Sequence, residues 1–209
     1  MSRYYSVCLD LRKKQCLVIG GGAVAERKIF TLLEYDTAVA VISPRITPSI
    51  VHLADEGKLL YTAREFQPGD TKGYFLIIAA TNNDHVNKAI SREAQEAHIL
   101  VNVVDAPDDS TFILPALVKR GDLTISISTG GKSPALARKM REDMEAQYGP
   151  EYGILVDILG NLRKNILLKE PDISKRKEIF QRLAESDELL DIIRESGREA
   201  AEGRIRELL

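Results

Sequence analysis

Two groups of residues in this sequence have the types and spacings that carry out chemistry. The first is the stretch CLVIGGGAVAERK at 16–28, in which Gly20, Gly22 and Ala25 fit G-x-G-x-x-A. That spacing suits a dinucleotide. The first glycine makes a tight turn, the second lets backbone approach a pyrophosphate, and the small third residue lets a helix pack on a strand. Ala23 and Val24 open that helix, whose free N–H groups and partial positive charge favour phosphate. The pattern follows an apolar run and precedes a helical one, a context that favours dinucleotide binding over a bare glycine-rich turn. An acidic residue about 20 positions further on would grip an NAD ribose. Here the segment VISPRIT puts Ser43 at that place, with Arg45 close by. Ser43 can bond the ribose and Arg45 can take a 2′-phosphate, so these residues leave NAD and NADP both open.

The second group lies in segments that would leave the same end of a parallel sheet, where such sheets place their ligands. In AATNN (79–83), Ala80 and Thr81 present little side chain, so a flat cofactor can lie against the strand end. In NVVDAP (102–107), Asp105 follows an apolar run and precedes Pro107. A carboxylate there can take a proton, and partial desolvation would raise its pKa toward a useful value. The same position also suits a residue that merely turns the chain. In ISTGGKSPALARK (127–139), Gly130 and Gly131 keep backbone accessible, Ser128, Thr129 and Ser133 offer hydroxyls, and Lys132 adds charge. A helix from Pro134, with Arg138 and Lys139 one turn on, completes a set that favours an anion. A capped helix on a solvated loop is the plainer alternative. His52, His85 and His98 are scattered, and Cys8 and Cys16 lack C-x-x-C spacing, so no preformed metal site is expected.

The elements that must position these residues can be read from periodicity. YYSVCLDL (4–11) alternates like a half-buried strand, and CLVIG is a short strand of the fully buried kind. Strands at 37–43, 59–66, 74–81 and 99–105 then alternate with helices at 24–35, 47–58 and 84–98, predicting a doubly wound parallel α/β unit to about residue 112. Thr47, with Pro48 after it, and Asn82 or Asn83 are expected helix caps. Two strands meeting at Arg120-Gly121-Asp122 follow, then a helix at 133–149 that Gly149 ends, and helices at about 152–168, 173–185 and 187–208. The fold class is therefore α/β: an N-terminal Rossmann-like sheet (1–112), a small central α+β region (113–149) and a C-terminal helical region (150–209). The central piece is too short for a core of its own and leaves strand edges for a partner chain, predicting a homodimer.

Composition sets the outer bounds. The 209 residues carry a net charge of −2, so no bulk attraction to nucleic acid or membrane is expected. No apolar run reaches the roughly 18 residues of a membrane helix. Arg3, Asp10 and Arg12 interrupt the N-terminus, which is unlike a signal peptide. The two cysteines read as small buried hydrophobes of a reducing, cytoplasmic compartment.

Together, and in this order, CLVIGGGAVAERK, IIAATNN, NVVDAP and STGGKSPALARKMRE resemble the precorrin-2 dehydrogenase/sirohydrochlorin ferrochelatase family over about residues 3–148. The resemblance implies an NAD-binding Rossmann domain, a central dimerisation region and a helical C-terminal part. It implies oxidation of precorrin-2 to sirohydrochlorin with NAD⁺, followed in some members by insertion of ferrous iron. The family's catalytic aspartate falls on Asp105, and Thr129 stands where the fused bacterial enzyme has serine. A carboxylate-rich tetrapyrrole would draw on Lys119, Arg120, Lys132, Arg138 and Arg141. A regulatory domain that senses NAD without turnover is the alternative, against which the second anion site and the crevice carboxylate both argue.

Overall fold

The computed structural model describes residues 4–209, so Arg3 lies outside the described residues. The chain forms two compact units, one ending at Leu114 and the other running Pro115–Leu209.

The first unit is built from β1 (Gln15–Ile19), α1 (Ala23–Leu33), β2 (Ala38–Ile42), α2 (Pro48–Asp55), β3 (Leu59–Thr62), β4 (Leu76–Ala79), α3 (Asp84–Glu96) and β5 (Leu100–Val103). All five strands are parallel, in the order β3-β2-β1-β4-β5. Their run of Val, Ile, Leu and Ala is buried because both faces are covered. On one face Ala25, Ile29 and Leu32 of α1 and Ile50 and Leu53 of α2 pack on Cys16, Val18, Val39 and Val41. On the other, Ile90 and Ala94 of α3 pack on Leu17, Ile19, Ile77 and Val101. The chain winds outward from β1 to β3 and then returns to β4. The point where strand order reverses therefore lies between β1 and β4, where open α/β sheets hold their ligands.

One expected strand is absent. Residues 4–11 form no strand, and Tyr5, Val7 and Leu9 are exposed. Alternation distinguishes two faces of a segment but supplies no edge to pair with, and this one has no ladder partner among the described residues. Cys8 is accordingly exposed, correcting the expectation that both cysteines are buried; Cys16 is buried, which pushes its thiol up to about 11.

The second unit opens with an antiparallel hairpin, β6 (Ala116–Arg120) and β7 (Leu123–Ile127), closed by Gly121 and Asp122. Helices α4 (Pro134–Gln147), α5 (Pro150–Lys169), α6 (Ile173–Ala184) and α7 (Asp187–Leu208) follow. Gly149 does not end α4 as expected. It is the N-cap of α5, because Pro150 behind it fits a first helical position and resists continuing the helix before it. Gly153 of α5 sits against the hairpin turn, where a Cβ would meet the Arg120 carbonyl oxygen at 2.5 Å. Leu155, Ile158, Leu183, Leu189, Ile193 and Ile205 form the helical core. The helix expected over 187–208 is broken at Gly197, whose φ of 81° no right-handed helix contains.

Candidate active site

The glycine loop after β1 puts its three glycines to three different uses. Gly20 has φ of +121°, and a Cβ there would overlap the carbonyl oxygen of Ala80 at the end of β4. Gly21 is pressed in the same way against the Arg45 carbonyl oxygen after β2. These two residues are required by the fold. Gly22 is exposed, has φ of −83° that any residue adopts, and would carry a Cβ into space with nothing within 4 Å. Neither backbone nor neighbour asks for glycine at Gly22, which leaves close approach of a ligand as the physical reason for it. Gly22 is also the N-cap of α1 and provides no capping side chain, whereas Thr47 and Asn83 close α2 and α3. The first-turn N–H groups of Ala23, Val24 and Ala25 thus have no protein acceptor among the described residues. Both features fit the pyrophosphate of a dinucleotide.

Beyond β2, Ser43 is buried and donates its hydroxyl hydrogen to the Arg45 carbonyl at 2.7 Å. Toward a ribose it can therefore act only as an acceptor. Arg45 itself is exposed. Across the switch point, Ala80 and Thr81 are half-buried, and Thr81 is held by Asn87 of α3. The Thr81 hydroxyl donates to the Asn87 amide oxygen at 2.7 Å, and the Asn87 amide donates back to the Thr81 carbonyl at 3.0 Å. Asn87 was missed in the sequence reading, although a polar residue on the buried stripe of α3 was its signal.

Asp105 lies in the turn after β5 with φ of +59°, a conformation that a non-glycine residue rarely holds without a reason. Its side chain is exposed, so the expected partial desolvation is not supplied by the first unit. Val104, just before it, packs into the core cluster that contains Ala25 and Ile29 of α1. The negative charge of Asp105 is felt by Lys28 on that helix. Burial pushes the Lys28 ammonium below its ordinary pKa, Arg27 adds to this, and the Asp105 charge acts the other way. Lys28 was also missed. It stands three residues after Ala25 and four before Leu32, on the flank of the buried stripe.

In the second unit the loop 128–133 is largely self-satisfied. The Thr129 hydroxyl donates to the Ser133 carbonyl and accepts from the Ser133 N–H, each at 3.1 Å. Ser133 caps α4 through the Leu136 N–H. Gly130 and Gly131 take φ of 63° and 80°, which this tight loop requires. Ser128 accepts from the Gly130 N–H at 3.1 Å, and its hydroxyl donates to no acceptor among the described residues. Arg138 pairs with Glu142 at 2.9 Å, while Lys132 is exposed and has no ion pair among the described residues. No group of three or more His, Cys, Asp or Glu side chains converges on one point among the described residues. None of their helices is long and apolar enough to cross a membrane.

A parallel sheet with an open glycine and an uncapped helix at its switch point defines the Rossmann class of dinucleotide-binding proteins. Residues 7–116 match an NAD(P)-binding family model, and residues 120–147 match the model of the sirohaem biosynthesis protein central region. The chain belongs to the siroheme synthase/precorrin-2 dehydrogenase family. Siroheme synthase 1 of Aeromonas salmonicida (strain A449) is 37% identical over 186 residues, 89% of this chain and 40% of the relative. Siroheme synthase of Methylobacillus flagellatus is 40% identical over 160 residues, 77% of this chain and 34% of the relative. The chain thus spans about 40% of the length of the curated relatives it matches. The structure of SirC, a precorrin-2 dehydrogenase, superposes with a TM-score of 0.79 at 27% identity, covering 98% of this chain and 100% of that one.

Proposed function

We propose that the protein oxidises precorrin-2 to sirohydrochlorin with NAD⁺. The observation that carries this reading is the end-to-end likeness to SirC, a precorrin-2 dehydrogenase of the same extent. Gly22, open to a ligand beside the free N–H groups of α1, supports it independently. In this reading Gly20, Gly22, Ala23, Val24, Ser43, Ala80 and Thr81 form the cofactor site. The cofactor, when bound, supplies the hydride acceptor. Asp105 takes the proton that leaves the macrocycle with the hydride, so that the tetrapyrrole loses one hydride and one proton in all. NAD rather than NADP is the oxidant we assign; it is supported by the family resemblance, because Ser43 and Arg45 alone do not discriminate.

Three regions share the work. Residues 1–112 hold the cofactor and residues 113–149 dimerise and bind substrate, through Ser128, Thr129, Gly130, Lys132 and Arg138. Residues 150–209 form the helical part. A homodimer is supported by β6 and β7, which pair only with each other among the described residues, and by Leu136 and Met140, exposed one turn apart on α4. Insertion of ferrous iron into sirohydrochlorin is a second activity we assign, with the exposed Asp105 receiving the pyrrole protons one after the other and passing each to solvent. The exposed thiol of Cys8 supports a reducing, cytoplasmic setting.

Absorbance spectra of the purified protein with precorrin-2 and NAD⁺ test the reading. Conversion to the sirohydrochlorin spectrum with equimolar NADH is expected. Cofactor binding without spectral change would favour the sensing alternative instead.

A further inference from the structure

Helices α5 and α6 flank an open groove of about 580 Å³, a size that suits a small molecule. Its three charged residues, Arg163, Arg176 and Lys177, are all cations, on a chain whose net charge is −2. None of the three has an ion pair among the described residues. Arg163 lies over the Phe180 ring, 5.6 Å from its centroid, and Arg176 reaches only the Pro171 carbonyl, at 3.4 Å. Elsewhere in the same unit arginines find carboxylates: Arg194, Arg198 and Arg204 of α7 hold two each. The acids between α5 and α6 are used otherwise. Glu170 accepts the Asp172 N–H, and Asp172 accepts those of Ser174 and Lys175.

The strongest indication of a ligand is Arg176. Its Nε is buried and has no hydrogen-bond partner, the one such side-chain nitrogen or oxygen among the described residues. A buried N–H without an acceptor is destabilising, and a carboxylate is the acceptor that can take two guanidinium N–H groups at once. Beside these cations the groove is apolar. Leu167 and Phe180 line it, and Ile173 leaves a large hydrocarbon side chain 74% exposed there. An inorganic anion would meet the cations and leave this apolar lining in water. A plain hydrocarbon would cover the lining and leave Arg176 unmet. The occupant that answers both carries carboxylates on an apolar body.

We propose that the α5–α6 groove is a second tetrapyrrole site, in which Arg176 and Lys177 take carboxylates and Leu167, Ile173 and Phe180 meet the apolar ring system. The identity of the ligand rests on the precorrin-2 dehydrogenase reading above, whose product combines these two features. None of the residues assigned there to substrate lines this groove. A second site keeps the oxidised macrocycle on the protein after it leaves the cofactor.

The test is equilibrium dialysis of sirohydrochlorin against the full chain, read by absorbance, with Arg176→Gln and Lys177→Glu beside the wild type. Two macrocycles per chain are expected for the wild type. Each variant should keep one and bind the second at least about tenfold more weakly, the effect of losing one charge-assisted hydrogen bond. Their kcat and KM for precorrin-2 should stay within about twofold of the wild type. Lys177 is exposed, so Lys177→Glu carries the test should Arg176→Gln fail to fold. One macrocycle per chain in the wild type, or weakening of both sites together, would overturn the proposal. So would loss of the second macrocycle to an equal concentration of inorganic phosphate, which would make the groove an anion site only. Loss of it to phosphatidylglycerol vesicles would overturn the proposal in favour of a lipid surface. A wild type that binds two macrocycles yet leaves precorrin-2 unoxidised would sink the dehydrogenase reading alone.

Discussion

Replacing Gly22 by Asp should separate cofactor binding from folding. The backbone at Gly22 has φ of −83° and a Cβ meets nothing within 4 Å, so the first unit accepts a side chain there without strain. Asp is moreover a good N-cap and its charge suits a helix N-terminus, so α1 should gain up to about 1 kcal/mol in stability. The ligand meets the opposite effect. A carboxylate about 5 Å from a phosphate charge costs about 3 kcal/mol at an effective dielectric constant of about 20, or roughly 150-fold in dissociation constant. Filling the space that the pyrophosphate must enter adds to this. Calorimetric titration with NAD⁺, alongside thermal unfolding, reads both quantities on one sample. The expected outcome is a Tm unchanged or raised, with binding lost from the measurable range. Gly20→Ala is the contrasting variant: its φ of +121° and the overlap with Ala80 should lower stability, by about 1–3 kcal/mol for the backbone alone. Wild-type affinity in Gly22→Asp would remove the glycine loop from the cofactor site, and a collapsed Tm would refute the claim that the fold does not need this glycine.

The other expectations concern three separate regions. Burial alone would raise the pKa of Glu93, but hydrogen bonds from the Thr71 hydroxyl and the Gly69 and Thr71 N–H groups together hold it below the ordinary value of 4.5. A depressed folded-state pKa contributes stability that is fully present above the unfolded value and fades as pH falls through the folded one. Urea unfolding should accordingly find Glu93→Gln less stable at neutral pH by about 1–3 kcal/mol, with a gap that narrows below pH 4.5; a gap independent of pH would deny the carboxylate its role. Sedimentation at micromolar concentration should give a dimer that Met140→Asp disperses, and a fully active wild-type monomer would contradict this. Asp105→Asn keeps a residue type that tolerates φ of +59°, so its loss should be chemical rather than conformational. It should abolish iron insertion above the spontaneous background and lower dehydrogenation at least about tenfold, and insertion at the wild-type rate would remove Asp105 as a shared base.

What could be read from the sequence was whatever neighbouring residues determine among themselves. The alternation of buried strands with helices is local, as are the caps: Thr47 closes α2 as expected, and of Asn82 and Asn83 it is Asn83 that closes α3. The failures share a different cause. The pattern over 4–11 is a good strand pattern with no edge to join, and Gly149 is a good helix end that Pro150 claims for the next helix. Asn87 went unassigned because its partner, Thr81, reaches it only once the sheet has folded. The glycine loop illustrates the limit most sharply. Gly20 and Gly22 look equivalent in G-x-G-x-x-A, yet a Cβ on the first would strike the end of β4 and a Cβ on the second would meet nothing within 4 Å. The motif predicted a site, but only packing separates the glycine that folds the loop from the glycine that leaves room for the ligand. That separation makes the Gly22 variant informative, because it removes the ligand's space without disturbing the turn that creates it.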